Sequence, residues 1–308
     1  MIDVVIVGGG PAGLSAAIML GRCRRQVIVC DSGQPRNAAS HAMHGFLSRD
    51  GIHPAELLCL GRAELDRYGI EFRQVHVSGV AREQSGVFAV DLADQRRLVC
   101  RKLLLATGVR DVLPPLEGIQ RFFGASVFHC PYCDAWEVRD KPIALYARRA
   151  KGVGEAVAMT RWSDRVTLCT DGGSGIDPAG RARLIRCGVV LNESRIAALE
   201  GPDGQLERIR FRDGASIECA ALFFNTGQYQ RSELPGILGC RFTSKGAVHT
   251  DLLGCTTVPG VYVVGDASRD AQFVIVAAAE GVKAAVAINT LLQKEDEERL
   301  SLQQAPQA

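Results

Sequence analysis

Short β-branched runs alternate along this chain with stretches of helical composition. Asp3 to Val7 reads as a strand, and Leu14 to Leu20 is Ala-rich and favours a helix. Val27 to Cys30 is a second apolar run, and it ends at Asp31. Two later segments resemble strand ends: Lys102 to Leu105 runs into Ala106, Thr107 and Gly108, and Val261 to Val264 into Gly265, Asp266 and Ala267. An Ala-rich helix, Ala277 to Leu292, follows the second of these. A further strand–helix–strand unit begins near Pro142, with strands at Ile143 to Tyr146 and Val166 to Cys169 around a helix at Gly152 to Trp162. The alternation predicts an α/β fold made of two Rossmann-like, three-layer nucleotide-binding domains. The tail from Lys294 to Ala308 reads as a frayed terminus.

Between the first strand and its helix stands Gly8-Gly9-Gly10-Pro11-Ala12-Gly13, a GxGxxG pattern in its proper context. Gly8 allows the tight turn, Gly10 lets the backbone approach a pyrophosphate, and Gly13 lets helix and strand pack closely. The pyrophosphate then sits on the helix N-terminus, where free N–H groups and the dipole favour an anion. Asp31 falls where a carboxylate accepts ribose hydroxyls.

Composition narrows the picture in a few respects. The chain has 308 residues, enough for two domains, and a formal net charge of +2. That balance argues against a polyanion or membrane surface as partner, so no nucleic-acid or membrane role is expected. The C-terminal apolar stretch is interrupted by Gln272, Glu280, Lys283 and Asn289, so no membrane span is expected either. Eleven cysteines, an odd number and mostly scattered, make a poor disulfide framework and point to a reducing, cytoplasmic setting.

Cys130 and Cys133 are the one closely spaced pair, in Cys130-Pro131-Tyr132-Cys133-Asp134. Two cysteines at that spacing can close a strained disulfide, and one thiol can act as a nucleophile through a lowered pKa. The same spacing is also half of a zinc site, yet no second CxxC or close His pair supplies the other ligands, so no metal is expected. The remaining cysteines, at 23, 30, 59, 100, 169, 187, 219, 240 and 255, read as small apolar residues.

The glycine motif, Ala106-Thr107-Gly108, the CxxC-Asp motif and Gly265-Asp266-Ala267 together resemble the low-molecular-weight thioredoxin reductase family in order and approximate spacing. The resemblance covers nearly the whole chain. It implies a discontinuous FAD domain from residues 1–114 and 246–308, and a central domain, 115–245, that carries the dithiol. It implies FAD contacts from Gly8, Gly10, Pro11, Ala12, Gly13, Asp31, Thr107, Gly108, Gly265 and Asp266, joined by Gln272, Phe273 and Val274 at the start of the last helix. Cys133 is then the flavin-proximal thiol, Cys130 the interchange thiol and Asp134 the general acid/base. A homodimer is the family expectation.

The central domain departs from that pattern where an NADPH-dependent reductase binds its nucleotide. The two expected glycines fall on Ala147 and Arg149, and only Gly152 matches the third position. A family His-Arg-Arg falls on Thr170, Asp171 and Gly172, so an anion stands where a cation pairs with a 2′-phosphate. NADPH use is not expected; NADH or a second FAD remains an occupant consistent with Arg149, Gly152 and Asp171. The chain therefore resembles branches that lost pyridine-nucleotide use: ferredoxin-linked reductases, two-flavin enzymes and dithiol oxidases that pass electrons to oxygen. The leading expectation is an FAD-dependent disulfide oxidoreductase acting on a thioredoxin-like protein or a small disulfide or dithiol, with a ferredoxin-type protein one candidate donor. A conventional NADPH reductase and a non-catalytic flavin-binding redox sensor are the alternatives.

Overall fold

The computed structural model describes residues 1–304 apart from 85, 149–150 and 269–270, with side chains through 302. The chain opens with β1 (Ile2–Val7), α1 (Pro11–Arg22), β2 (Val27–Asp31), α2 (Pro54–Asp66) and β3 (Glu71–Gln74). It continues through β4 (Val77–Arg82), β5 (Phe88–Leu92) and β6 (Arg97–Leu105). In the resulting sheet β3, β2, β1 and β6 lie parallel in that order, and β5 and β4 extend it antiparallel. Helix α1 starts at Gly10 as N-cap with Pro11 in the first turn, a position where proline's missing N–H costs nothing.

A short strand, β7 (Val109–Asp111), carries the chain into its central region. There α3 (Ile119–Phe122), β8 (Val127–Phe128), α4 (Pro131–Asp134), β9 (Ile143–Tyr146), α5 (Lys151–Met159), β10 (Val166–Cys169), α6 (Pro178–Arg186) and β11 (Val190–Asn192) follow. After them come β12 (Ile196–Glu200), β13 (Arg208–Phe211), β14 (Ser216–Glu218) and β15 (Ala221–Phe224). The strands β11, β10, β9, β15 and β8 form a parallel sheet, and β12, β13 and β14 an antiparallel one. The chain returns along β16 (Gln228–Gln230), antiparallel to β7, and through α7 (Leu234–Ile237). Then β17 (Val261–Val263) pairs parallel with β6, so the two ends of the chain build one sheet. Both large sheets have the parallel, helix-covered character of an α/β fold.

The last helix, α8 (Val274–Gln304), shows why this sheet holds together. Ala284, Ala285, Ile288 and Leu292 pack in one core with Ala16, Ala17 and Leu20 of α1. The crossing is so close that a Cβ on Gly281 would lie 2.0 Å from the Ala12 carbonyl oxygen. Helix α8 also corrects two expectations. It runs on to Gln304 instead of fraying from Lys294, because its acidic residues neutralise buried cations of the sheet. Arg101, only 5% exposed, meets Asp3, Glu295 and Asp296, and Lys102 meets Glu295. A buried guanidinium without such partners would be strongly destabilising. Secondly, Val274–Leu302 is long and apolar enough to cross a membrane by length and composition, despite its polar interruptions. The apolar face of its first half is used against α1.

The scattered cysteines divide by environment. Cys30, Cys100, Cys169, Cys219 and Cys240 are buried, whereas Cys59 and Cys187 are exposed.

Candidate functional site

The carboxyl ends of β1, β2 and β6 and the residues after β17 open into a cavity of about 700 Å³, the expected ligand position in a parallel sheet. The glycine loop forms its floor. Gly8 has φ of +110°, and a Cβ there would lie 2.3 Å from the Ala106 carbonyl oxygen. A Cβ on Gly13 would lie 1.9 Å from the Gly8 oxygen, so the third glycine is what lets α1 pack on the turn. Gly10 differs from both: a Cβ there would meet nothing within 4 Å. That space lies at the N-terminus of α1, with Pro11 and Ala12 also lining the cavity.

Asp31 sits at the end of β2 as the motif requires. Its Oδ1 accepts from the Gly9 amide at 3.0 Å and its Oδ2 from the Gly33 amide at 3.1 Å, while Arg62 Nη2 lies 3.4 Å away. Thr107 Oγ1 and Arg62 Nε are buried without a hydrogen-bond partner. Unpaired buried polar atoms are costly, and these two adjoin the glycine loop and Asp31. Gly108, Gly265, Asp266, Gln272, Phe273 and Val274 line the same cavity. The open space over Gly10, the orphaned Thr107 hydroxyl and the helix N-terminus fit a bound dinucleotide such as FAD.

One residue that no motif signalled organises the far side of the cavity. Arg36 donates through Nε to Asp111 Oδ2 at 2.9 Å, and through Nη1 to Asp266 Oδ2 at 2.8 Å and Gln272 Oε1 at 2.6 Å. Burial opposes the charge of Arg36, but its two carboxylate partners more than compensate and raise its pKa. Burial likewise opposes ionisation of Asp111, and the Arg36 hydrogen bonds with the His129 and Arg36 charges overcome it, holding the carboxyl low. Arg36 thus joins the loop after β2, strand β7 and the Gly265-Asp266 turn. A second cavity of about 470 Å³ adjoins this cluster, reaching to Lys151, Asn225 and Tyr229.

The dithiol lies at the cavity's edge. Cys130 is the N-cap of α4, and the Cys133 and Asp134 amides both reach its carbonyl oxygen at 3.3 Å. Cys133 and Asp134 line the cavity. A hydrogen bond from the Cys133 thiol lowers the Cys130 pKa, aided by the Cys133 and Tyr132 amides against the effect of burial. The Cys133 thiol, as the donor in that bond and by burial, is pushed strongly up. Burial first, then the nearby Glu137 charge, raises the Asp134 carboxyl from 3.8 to about 7, with His44 acting in the opposite direction. Burial and then the Arg36 charge lower the pKa of His129, against the opposing Asp111 and Asp266 charges. Such a set has a thiol whose ionisation is favoured, a second thiol that donates to it and a carboxyl able to hold a proton near neutrality. Among the described residues no group of His, Cys, Asp and Glu has the arrangement of a metal site.

The second nucleotide position is built differently from the first. Gly152 serves packing: a Cβ there would lie 2.8 Å from Ala147 Cβ and 3.1 Å from Leu168 Cδ1. Asp171 is engaged on both oxygens. Its Oδ2 lies 2.6 Å from Arg148 Nη2, and its Oδ1 accepts from the Ile196 amide at 2.9 Å. Arg149 lies outside the described residues. Nearby, Arg139 stacks 4.2 Å from the Trp136 ring centre and Arg148 pairs with Asp171.

Arg36, His44 and Asp111 line the cavity and Arg62 reaches Asp31 beside it, and sequence reasoning missed all four. Their partners are distant in sequence, and their surroundings carry no spacing that would single them out.

Comparison with known proteins places this arrangement. Residues 2–281 match the family described as pyridine nucleotide-disulphide oxidoreductase. A probable thioredoxin reductase of Arthroderma benhamiae is 30% identical, across 95% of this chain and 81% of the relative. The crystal structure of HlmI superposes with a TM-score of 0.94 at 36% identity, covering 99% of this chain and 96% of that one. That of a putative thioredoxin reductase, TrxB, from Bacillus anthracis does so with 0.92 at 29% identity, covering 96% and 100%. A cavity fit for a flavin dinucleotide beside a dithiol accords with these matches, and the chain belongs to the pyridine nucleotide-disulphide oxidoreductase family as a thioredoxin-reductase-like, FAD-dependent disulfide oxidoreductase.

Proposed function

We propose that this enzyme exchanges electrons between FAD and a partner disulfide or dithiol through Cys130 and Cys133, and that it works without NADPH. The observation that carries the second half is Asp171. An acid at the end of β10 repels a 2′-phosphate, and here its two oxygens are held by Arg148 and the Ile196 amide. The neighbouring Gly152 is taken up by packing against Ala147 and Leu168.

Gly8, Gly10, Gly13 and the α1 N-terminus would hold the FAD pyrophosphate, Asp31 the ribose, and Thr107, Asp266 and the start of α8 the remainder. Bound there, FAD supplies two-electron chemistry that opens or closes the Cys130–Cys133 disulfide. The residues of the chain perform the exchange. The Cys130 thiolate attacks one sulfur of a partner disulfide, forming a mixed disulfide and expelling the other sulfur, which takes a proton from Asp134. The Cys133 sulfur then attacks Cys130, giving up its proton to Asp134 as it closes the Cys130–Cys133 disulfide and expels the second partner sulfur as a thiolate, which solvent protonates to complete the dithiol. Run backwards, the same steps oxidise a dithiol partner. A thioredoxin-like protein and a small disulfide or dithiol are both suited to this exchange.

The proposal is tested by calorimetric titration of the holoprotein with NADPH and NADH, with flavin extracted and counted per chain. Absence of measurable NADPH binding and one flavin per chain are expected. Tight NADPH binding would revive a conventional reductase, and two flavins would assign the central sheet a flavin of its own.

A further inference from the structure

A line of ionisable groups crosses from the dithiol segment to the loop at 41–52. His44 Nε2 lies 3.4 Å from Glu137 Oε1, and His44 Nδ1 lies 3.6 Å from Asp50 Oδ1. Asp50 is itself fixed, its Oδ1 accepting a 2.7 Å bond from the Gly45 amide. The loop is closed by bonds from the Met43 amide to Ile52 and from the Gly51 amide to Met43, each 2.9 Å. His44 is therefore presented by a braced element. It borders the same cavity as Asp134, and Glu137 follows Asp134 by three residues, just beyond α4.

We infer that His44 is a positioning residue that holds and offsets the charge of Glu137, and that this pair sets the proton affinity of Asp134. The inference deepens the acid/base role proposed for Asp134 and rests on it. Glu137 and His44 act on Asp134, Asp134 in turn acts on Cys130 and Cys133 of its own segment, and Asp50 meets His44 from the loop. An anion beside a half-buried carboxyl favours the protonated form, and a cation favours the ionised one. Glu137 and His44 act on Asp134 in these opposite senses. Their contact makes the two effects partly cancel, and the carboxyl stays able both to donate and to accept within one exchange cycle.

The sign difference separates this role from a structural one. In the FAD-loaded protein, the carboxyl C=O infrared band of Asp134, identified by its loss in Asp134→Asn, is titrated against pH. Alkylation of Cys130 by iodoacetamide is followed over the same range. His44→Gln is expected to move the Asp134 titration to higher pH and Glu137→Gln to lower pH. Each changes the protonated-to-ionised ratio at fixed pH by roughly threefold. The double variant should fall between the two. If the bridge only fastens the loop, both single variants break the same contact and shift the titration in the same direction or not at all. Either result overturns the inference. Glu137 is 41% exposed, so its replacement is expected to leave folding intact, which circular dichroism checks. Unimpaired exchange in Asp134→Asn would instead sink the acid/base role, and it leaves the wild-type band titration readable, so the two failures are distinguishable.

Discussion

Arg148 Nη2 and Asp171 Oδ2 stand 2.6 Å apart at the end of β10, and the second oxygen of Asp171 holds the Ile196 amide. Asp171 is thereby a structural residue in a left-handed backbone position, with φ of +52°. Asp171→Asn keeps an acceptor for Ile196 and a residue type tolerant of that backbone, so it should cost at most about 1 kcal/mol. Asp171→Ala leaves the amide unpaired and should cost roughly 1–3 kcal/mol. Urea denaturation measures both. Neither change should slow flavin reduction by a dithiol.

The glycine loop separates folding from flavin binding. Gly10 has φ of −78°, which alanine adopts freely, and open space where its Cβ would go. Gly10→Ala should fold with unchanged thermal stability as apoprotein and lose flavin affinity by about tenfold or more, because the methyl group enters the space assigned to pyrophosphate. Gly13→Ala, with its Cβ 1.9 Å from the Gly8 oxygen, should destabilise the apoprotein itself. Melting curves with and without added FAD distinguish the two.

The unequal thiols predict a specific reactivity. Because the Cys133 hydrogen bond is the largest influence lowering the Cys130 pKa, Cys133→Ala should slow alkylation of Cys130 near pH 7, and Cys133→Ser, which keeps a donor, should slow it less. Mass spectrometry of partly alkylated, reduced protein reads this directly. With a disulfide partner, Cys133→Ser should accumulate a mixed disulfide on Cys130.

Asp134 links catalysis to stability through pH. Its folded-state pKa of about 7 exceeds the ordinary 3.8, so the folded protein binds this proton more tightly than the unfolded chain. Its contribution to stability therefore falls as pH rises from about 4 to about 7 and then levels off. Asp134→Asn removes that decline. The variant should gain stability over the wild type between about pH 5 and pH 8, measured as a rise in relative urea midpoint, while disulfide exchange drops roughly 100-fold or more.

How much of this was legible in the sequence depends on the range of the interactions. The GxGxxG loop with its strand, helix and acid is a local signal, and the strands around residues 143–146 and 166–169 fall where the apolar runs place them. The extension of α8 was hidden because the partners of Glu295 and Asp296 are Arg25, Arg101 and Lys102, far back in the chain. Arg36 was hidden for the same reason. It lies in a loop without periodicity, and its partners Asp111 and Asp266 are remote in sequence. His44 was passed over because only the fold brings it to Glu137. Asp171 was read as an anion in place of a cation, and its attachment to Arg148 and Ile196 required the structure.

The central claim is that the flavin exchanges electrons with the Cys130–Cys133 pair and not with NADPH. Anaerobic stopped-flow mixing of the holoprotein with either dithiothreitol or NADPH, followed at the flavin absorbance, tests it most directly. Stoichiometric bleaching by dithiothreitol that is lost in Cys133→Ala, with the flavin still oxidised in NADPH, is the predicted result. Rapid stoichiometric bleaching by NADPH would contradict it.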